Sequence, residues 1–193
     1  LRMTVPLALG TPGRENSARS HLREATGNTN LGPVISGVFH EPVSPAQGEL
    51  VSVRARISDS DGISSVRLMY REGSPRGEFS SVVMSEESLG TGMYLGRMGA
   101  FSSRRKVVFY LEAEDENGAL RHYPRDAPDH TLLLQAAGLV NTNVDATRVI
   151  LDDVKTSELS SRMLHSNDLL DGAFVFNNDE AMYNVGVRYR GSP

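Results

Sequence analysis

The chain has 193 residues, 39% hydrophobic and 6% aromatic, enough apolar material for a core and too much for a disordered polymer. Its formal net charge of −4 offers no basic surface to offset phosphate repulsion, which argues against nucleic acid. No apolar run approaches the roughly 20 residues that span a bilayer, Leu1 to Leu7 is too short and broken for a signal peptide, and the absence of cysteine excludes disulfides and thiolate metal sites.

Residues 1–31 show no periodicity and are rich in Gly, Pro, Ser, Asn and Arg, notably Gly10-Thr11-Pro12-Gly13-Arg14-Glu15-Asn16-Ser17 and Thr26-Gly27-Asn28-Thr29-Asn30. This composition predicts a linker or the end of a preceding domain. The Gly-Thr-Pro-Gly-x-x-Asn-Ser string resembles the closing turn of lamin-tail domains; an ordinary Pro-Gly turn in a leader accounts for the same residues.

Residues 32–137 read as one β-sandwich, because short alternating segments recur between turn signals. Strands are expected over Pro33–Phe39, Leu50–Ser58, Ile63–Arg71, Phe79–Met84, Met93–Met98, Lys106–Glu114 and Thr131–Gln135. In the second, Val51, Val53, Ala55 and Ile57 should face the core and Ser52, Arg54, Arg56 and Ser58 the solvent. Val66, Leu68 and Tyr70 form the inner face of the third; Val107, Phe109, Leu111 and Ala113 form that of the sixth, the most apolar strand. Three strings sit on these strands in order: Pro33-Val34-Ile35; Val53 to Gly62, ending Asp59-Ser60-Asp61-Gly62; and Phe109 to Gly118, ending Asp115-Glu116-Asn117-Gly118. They resemble bacterial immunoglobulin-like (fibronectin type III-like) modules, a likeness that implies spacing, adhesion or recognition and no particular ligand.

In that topology the loop at Asp59-Ser60-Asp61-Gly62 lies at the same end as the loop at Asp115-Glu116-Asn117-Gly118. Asp59, Asp61 and Asp115 are therefore candidate calcium ligands, since calcium takes six to eight oxygens in irregular geometry. Asp-Gly and Asn-Gly are also good turn formers in their own right, which explains the same residues without a metal. The other chemical strings are weaker. Gly90-Thr91-Gly92-x-x-x-Gly96 lacks the strand and helix of a dinucleotide loop and reads as a turn. His21, His40, His122, His130 and His165 have no metal-ligand spacing, there is no Gly-x-Ser-x-Gly elbow, and His165-Ser166-Asn167-Asp168 reads as a helix end and loop. Arg54, Arg56, Arg67 and Arg71 are expected on solvated outer faces, and Tyr110 and Tyr123 are the visible candidates for sugar stacking.

Residues 138–146 form a polar connector, and 147–193 change character. Thr147 to Leu151 predicts a strand, Thr156 a helix cap with Glu158 in the first turn, and Leu159, Met163 and Leu164 an apolar stripe. Leu170–Phe176 and Met182–Tyr189 should pair as a hairpin across Asn177-Asn178-Asp179-Glu180. Strand, short helix, strand and a terminal Gly186-Val187-Arg188-Tyr189-Arg190-Gly191 together resemble the start of the CotH spore-coat kinase family, an atypical protein-kinase-like group. Arg188, Arg190 and Gly191 match its strand-end motif. The family's nucleotide and metal residues would lie further along than Pro193, so no catalytic or cofactor-binding residue is assigned. Leu1 and the closing strand read as marks of a piece of a longer protein. Phe174, Phe176, Val185 and Val187 on a half-lobe would need to dock on the sandwich or on another chain.

The fold expected is mainly β: an immunoglobulin-like β-sandwich followed by a small α+β segment of strand, short helix and β-hairpin. The function expected is a non-catalytic structural or interaction module, for spacing, presentation or adhesion, in a larger exported bacterial protein at the cell surface. Its partners would be neighbouring domains, another protein chain or surface polysaccharide. Alternatives are the regulatory amino-terminal part of a CotH-like phosphotransferase and a calcium-dependent carbohydrate or cell-surface binding module.

Overall fold

The computed structural model describes residues 30–73, 77–138 and 145–190. Residues 1–29 of the expected linker with its lamin-tail-like string, residues 139–144 of the connector and Gly191 of the strand-end motif lie outside the described residues. Gly32–Pro193 form one compact unit.

The chain order is β1 (Val34–Glu41), β2 (Val51–Ser58), β3 (Ile63–Glu72), β4 (Ser80–Val83), β5 (Ser85–Glu86), β6 (Met93–Met98), β7 (Lys106–Asp115), β8 (Leu120–Tyr123) and β9 (Leu132–Gln135). After these come β10 (Thr147–Ile150), helix α1 (Asp153–Ser161), β11 (Leu170–Phe176) and β12 (Glu180–Val187). The first nine strands make a β-sandwich. One sheet runs β1-β2-β6-β5 and the other β4-β3-β7-β8, all antiparallel.

Strict alternation builds the core between the sheets. Val51, Val53, Ala55 and Ile57 from β2 meet Val66 and Leu68 from β3 and Val107, Phe109, Leu111 and Ala113 from β7, all at most 2% exposed. A fully buried side chain such as Phe109 or Leu111 contributes roughly 2 kcal/mol by removal from water. Tyr70 is half-buried and sets its ring 6.0 Å from that of Phe101, edge to face.

Two sandwich strands are absent from the sequence expectation, the two-residue β5 and the four-residue β8. Leu120–Tyr123 pairs with Leu111 to Glu114, while β9 pairs with Lys106 to Phe109, so ten-residue β7 holds two short partners along one edge. Four residues that are half-buried or exposed carry too weak an alternation to announce themselves.

The remaining elements form the small α+β segment, a three-stranded antiparallel sheet β10-β11-β12 with one helix. One face of that sheet lies on the sandwich: Ile150, Ala173 and Val175 form a second buried cluster with Val108 of β7 and Leu133 of β9. Strand β7 is thereby covered on both faces, which is why Val107-Val108-Phe109-Tyr110-Leu111 reads as an unbroken apolar run.

Three expectations for this segment are corrected, the first being Glu158, which lies beyond the first turn of the helix, where Asp153 is the acidic residue. The helix is capped by Asp152, whose Oδ1 accepts the Lys155 amide at 2.7 Å, and not by Thr156. Thr156 lies inside the helix and its hydroxyl donates back to the Asp152 carbonyl at 2.7 Å, while the stronger capping residue takes the end. Leu159, Met163 and Leu164 make no buried stripe either. The helix ends at Ser161, none of its residues is buried, and Met163 and Leu164 are exposed beyond it. It is held by polar contacts instead, with Lys106 Nζ 2.7 Å from Asp153 Oδ1. In the hairpin, Asn177 (φ 47°) and Asn178 (φ 59°) take the left-handed conformation, and the strand resumes at Glu180.

Candidate cation site

At one end of the sandwich the turn after β2 and the turn after β7 meet. Asp59, Asp61 and Asp115 each place a carboxylate oxygen within 4.8 Å of the others. The antiparallel pairing of β3 with β7 causes this, since Ile63 stands opposite Asp115 and brings the residues just before β3 to the end of β7.

Each turn is also built from its own carboxylate. Asp59 Oδ1 accepts the Asp61 amide at 2.8 Å; Asp115 Oδ1 accepts the amides of Asn117 at 2.9 Å and Ala119 at 2.8 Å. Asp115 is 1% exposed, so these hydrogen bonds offset the cost of burying a charge. Gly62 takes φ 91°, a left-handed conformation that favours glycine, and the Glu116 side chain passes close beside it, which brings a fourth carboxylate to the same end.

Turn formation and the β3–β7 pairing together account for the arrangement; what they leave uncompensated is charge, since like charges this close repel. Neither Asp59 nor Asp61 enters an ion pair among the described residues. The donor set is all oxygen, which suits a hard cation such as calcium and does not suit zinc or copper.

The other sequence candidates lie elsewhere. Arg54 points outward and pairs with both Glu41 and, at 3.0 Å, Glu87. Arg56 and Arg67 are exposed. Arg71 donates to the Gly77 carbonyl at 2.8 Å with its guanidinium 4.4 Å above the Phe79 ring. Tyr110 is buried, its ring edge-on to Phe79 and His122, so it is not open for stacking on a sugar. Gly90 and Gly92 sit in a turn with positive φ, and residues 165–168 lie in the loop after α1.

A polar junction that sequence reasoning missed joins the sandwich to the small sheet. His40 of β1 is 2% exposed, with Nε2 3.1 Å from the Val43 carbonyl and Nδ1 hydrogen-bonded to the Tyr183 hydroxyl of β12. A carbonyl only accepts, so Nε2 carries the proton and Nδ1 accepts from Tyr183. Burial lowers the His40 pKa to about 4 and pushes the Tyr183 phenol well above the ordinary tyrosine range. Beside it, Arg148 Nη2 donates to Ser44 Oγ at 2.6 Å, Asn178 Oδ1 at 2.8 Å and the Gly138 carbonyl at 3.3 Å. The sequence signal is faint: a histidine at the end of an alternating strand.

No family model matches the chain, and no curated protein matches it.

Proposed function

We propose that this chain is a non-catalytic structural module, an immunoglobulin-like sandwich that holds the small α+β segment in a fixed orientation and presents it. The observation that carries this reading is the junction: an apolar seam of Val108, Leu133, Ile150, Ala173 and Val175, with the His40–Tyr183 and Arg148–Ser44–Asn178 hydrogen bonds beside it. A flexible spacer needs no such seam, because a polar linker separates domains without burying anything. The bacterial immunoglobulin-like strings and the CotH-like closing segment support a role within a larger exported bacterial protein, at the cell surface.

The absence of cysteine allows a direct test. Spin labels at Val83→Cys on β4 and Met182→Cys on β12, both exposed positions, report the separation of sandwich and small sheet. A single narrow distance distribution is expected; a broad one contradicts presentation.

A second reading has its own observation. The convergence of Asp59, Asp61 and Asp115 favours a calcium ion that stiffens this end of the sandwich. Titration with calcium, followed by thermal melting, tests it.

A further inference from the structure

The face of the small sheet turned away from the sandwich is apolar and open. Val149 of β10, Phe174 of β11, and Val185 and Val187 of β12 line a groove of about 510 Å³ with Leu169 at its side. Val149 and Leu169 are 56% and 61% exposed, and Phe174, Val185 and Val187 are half-buried. Contiguous exposed apolar surface of this kind marks an interaction site. Arg188 and Arg190 stand at one end of the groove, and neither enters an ion pair among the described residues. Arg188 is held in place by a hydrogen bond to the Asn167 side chain.

The width of the floor selects the occupant. It crosses three strands spaced about 4.8 Å apart, so it is roughly 10 Å across, the diameter of one α-helix. An added strand would pair along an outer edge of the sheet, beside β10 or β12, and would leave the apolar face between those edges uncovered. The guanidiniums select the charge. A second copy would offer the same two arginines, whereas acidic side chains complement them. We infer that this face docks an amphipathic helix of a partner chain, with an apolar stripe on the Val149–Phe174–Val187 floor and acidic residues at the Arg188 and Arg190 end. The inference deepens the presenting-module reading and rests on the docked small sheet.

The probe is a designed helical peptide with leucines at i, i+3, i+4 and i+7 flanked by glutamates, with a lysine-flanked counterpart as control. With the whole chain, the glutamate peptide should bind about fivefold tighter than the lysine peptide, the effect of about 1 kcal/mol of rim electrostatics. It should perturb the amides of Val149, Phe174 and Val187. Arg190→Glu should erase the preference, because one positive and one negative side chain then remain at that end, and Arg188→Glu combined with Arg190→Glu should reverse it. Val149→Asp should abolish binding with little change in melting, because Val149 is already exposed. Equal binding of both peptides, perturbation elsewhere, or a concentration-dependent dimer of the chain lost in Val149→Asp would overturn the proposal. Rapid amide exchange throughout β10–β12 would overturn the presenting-module reading as well; protected strands that ignore the peptide would overturn the docking inference alone.

Discussion

His40 and Tyr183, 143 residues apart, share a hydrogen bond that links the first strand of the sandwich to the last strand of the small sheet. Their rings lie 5.7 Å apart, and Phe109 stands edge-on to both, so the contact is polar at its centre and aromatic around it. Burial keeps the imidazole neutral, and outweighs the Val43 carbonyl, whose hydrogen bond with Nε2 favours the charged form.

That neutrality predicts a pH dependence. The folded protein keeps His40 unprotonated until pH falls to about 4, whereas the unfolded chain takes up the proton near its ordinary 6.5. Between those values the unfolded state holds more protons, so stability falls as pH drops through the window, by at most about 3 kcal/mol. Urea melts of the wild type and His40→Gln from pH 7 to pH 4 should show a flatter dependence in the variant; identical slopes would assign the pH response to other groups.

Tyr183→Phe should destabilise by about 1–2 kcal/mol, because it removes the donor and leaves His40 Nδ1 buried without it. The loss should appear in chemical denaturation and should be smaller in a His40→Gln background, since the two residues act as a pair. Additive effects would mean that the bond contributes nothing.

The apolar seam makes a separate prediction. Val175 is 3% exposed against Val108 and Leu133, and Val175→Ala should cost about 2 kcal/mol through lost burial and a residual cavity. The hydrogen exchange of β10–β12 should rise more than that of β2 and β3. A uniform rise would show that the sheet and the sandwich open as one unit.

The acidic end separates two roles by substitution. Asp115→Ala should destabilise with or without calcium, by roughly 1–3 kcal/mol, because two backbone amides lose their buried acceptor. Asp61→Asn leaves those bonds in place and relieves carboxylate repulsion, so it should leave melting unchanged or slightly raised without a cation and lower it only where a cation binds. A calcium-dependent rise in melting temperature that Asp61→Asn removes is the expected result. No shift in millimolar calcium would leave the carboxylates as turn formers.

Gly92, at φ 67°, would set a Cβ 2.9 Å from the Ile57 carbonyl. Gly92→Ala should therefore destabilise by roughly 1–3 kcal/mol, measured by thermal melting. An unchanged melting temperature would mean that the turn before β6 shifts freely.

Periodicity decides which parts of the fold are legible in the sequence. Strands β2, β3 and β7 each bury one face in the sandwich core, so alternation alone assigns Val51, Val53, Ala55 and Ile57 to that face. The meeting of the Asp59–Asp61 and Asp115 turns is legible too, because β3 lies beside β7 in the inferred topology. Strand β8 is not, being four residues long. The helix start is ambiguous in sequence, since Asp152 and Thr156 are both capping residue types and only the backbone geometry selects the aspartate. The junction around His40, Ser44 and Arg148 is beyond pattern reading, since its members come from segments more than a hundred residues apart, and nothing periodic relates them.

Amide hydrogen exchange of the intact chain, followed residue by residue, tests the account most directly. If the sandwich holds the small sheet in place, the amides of β10–β12 should be protected to a degree approaching those of β2, β3 and β7, and protection should extend through Ala173 and Val175 at the seam. Free exchange throughout β10–β12, beside a fully protected sandwich, would contradict the account and reduce the small sheet to a tethered appendage.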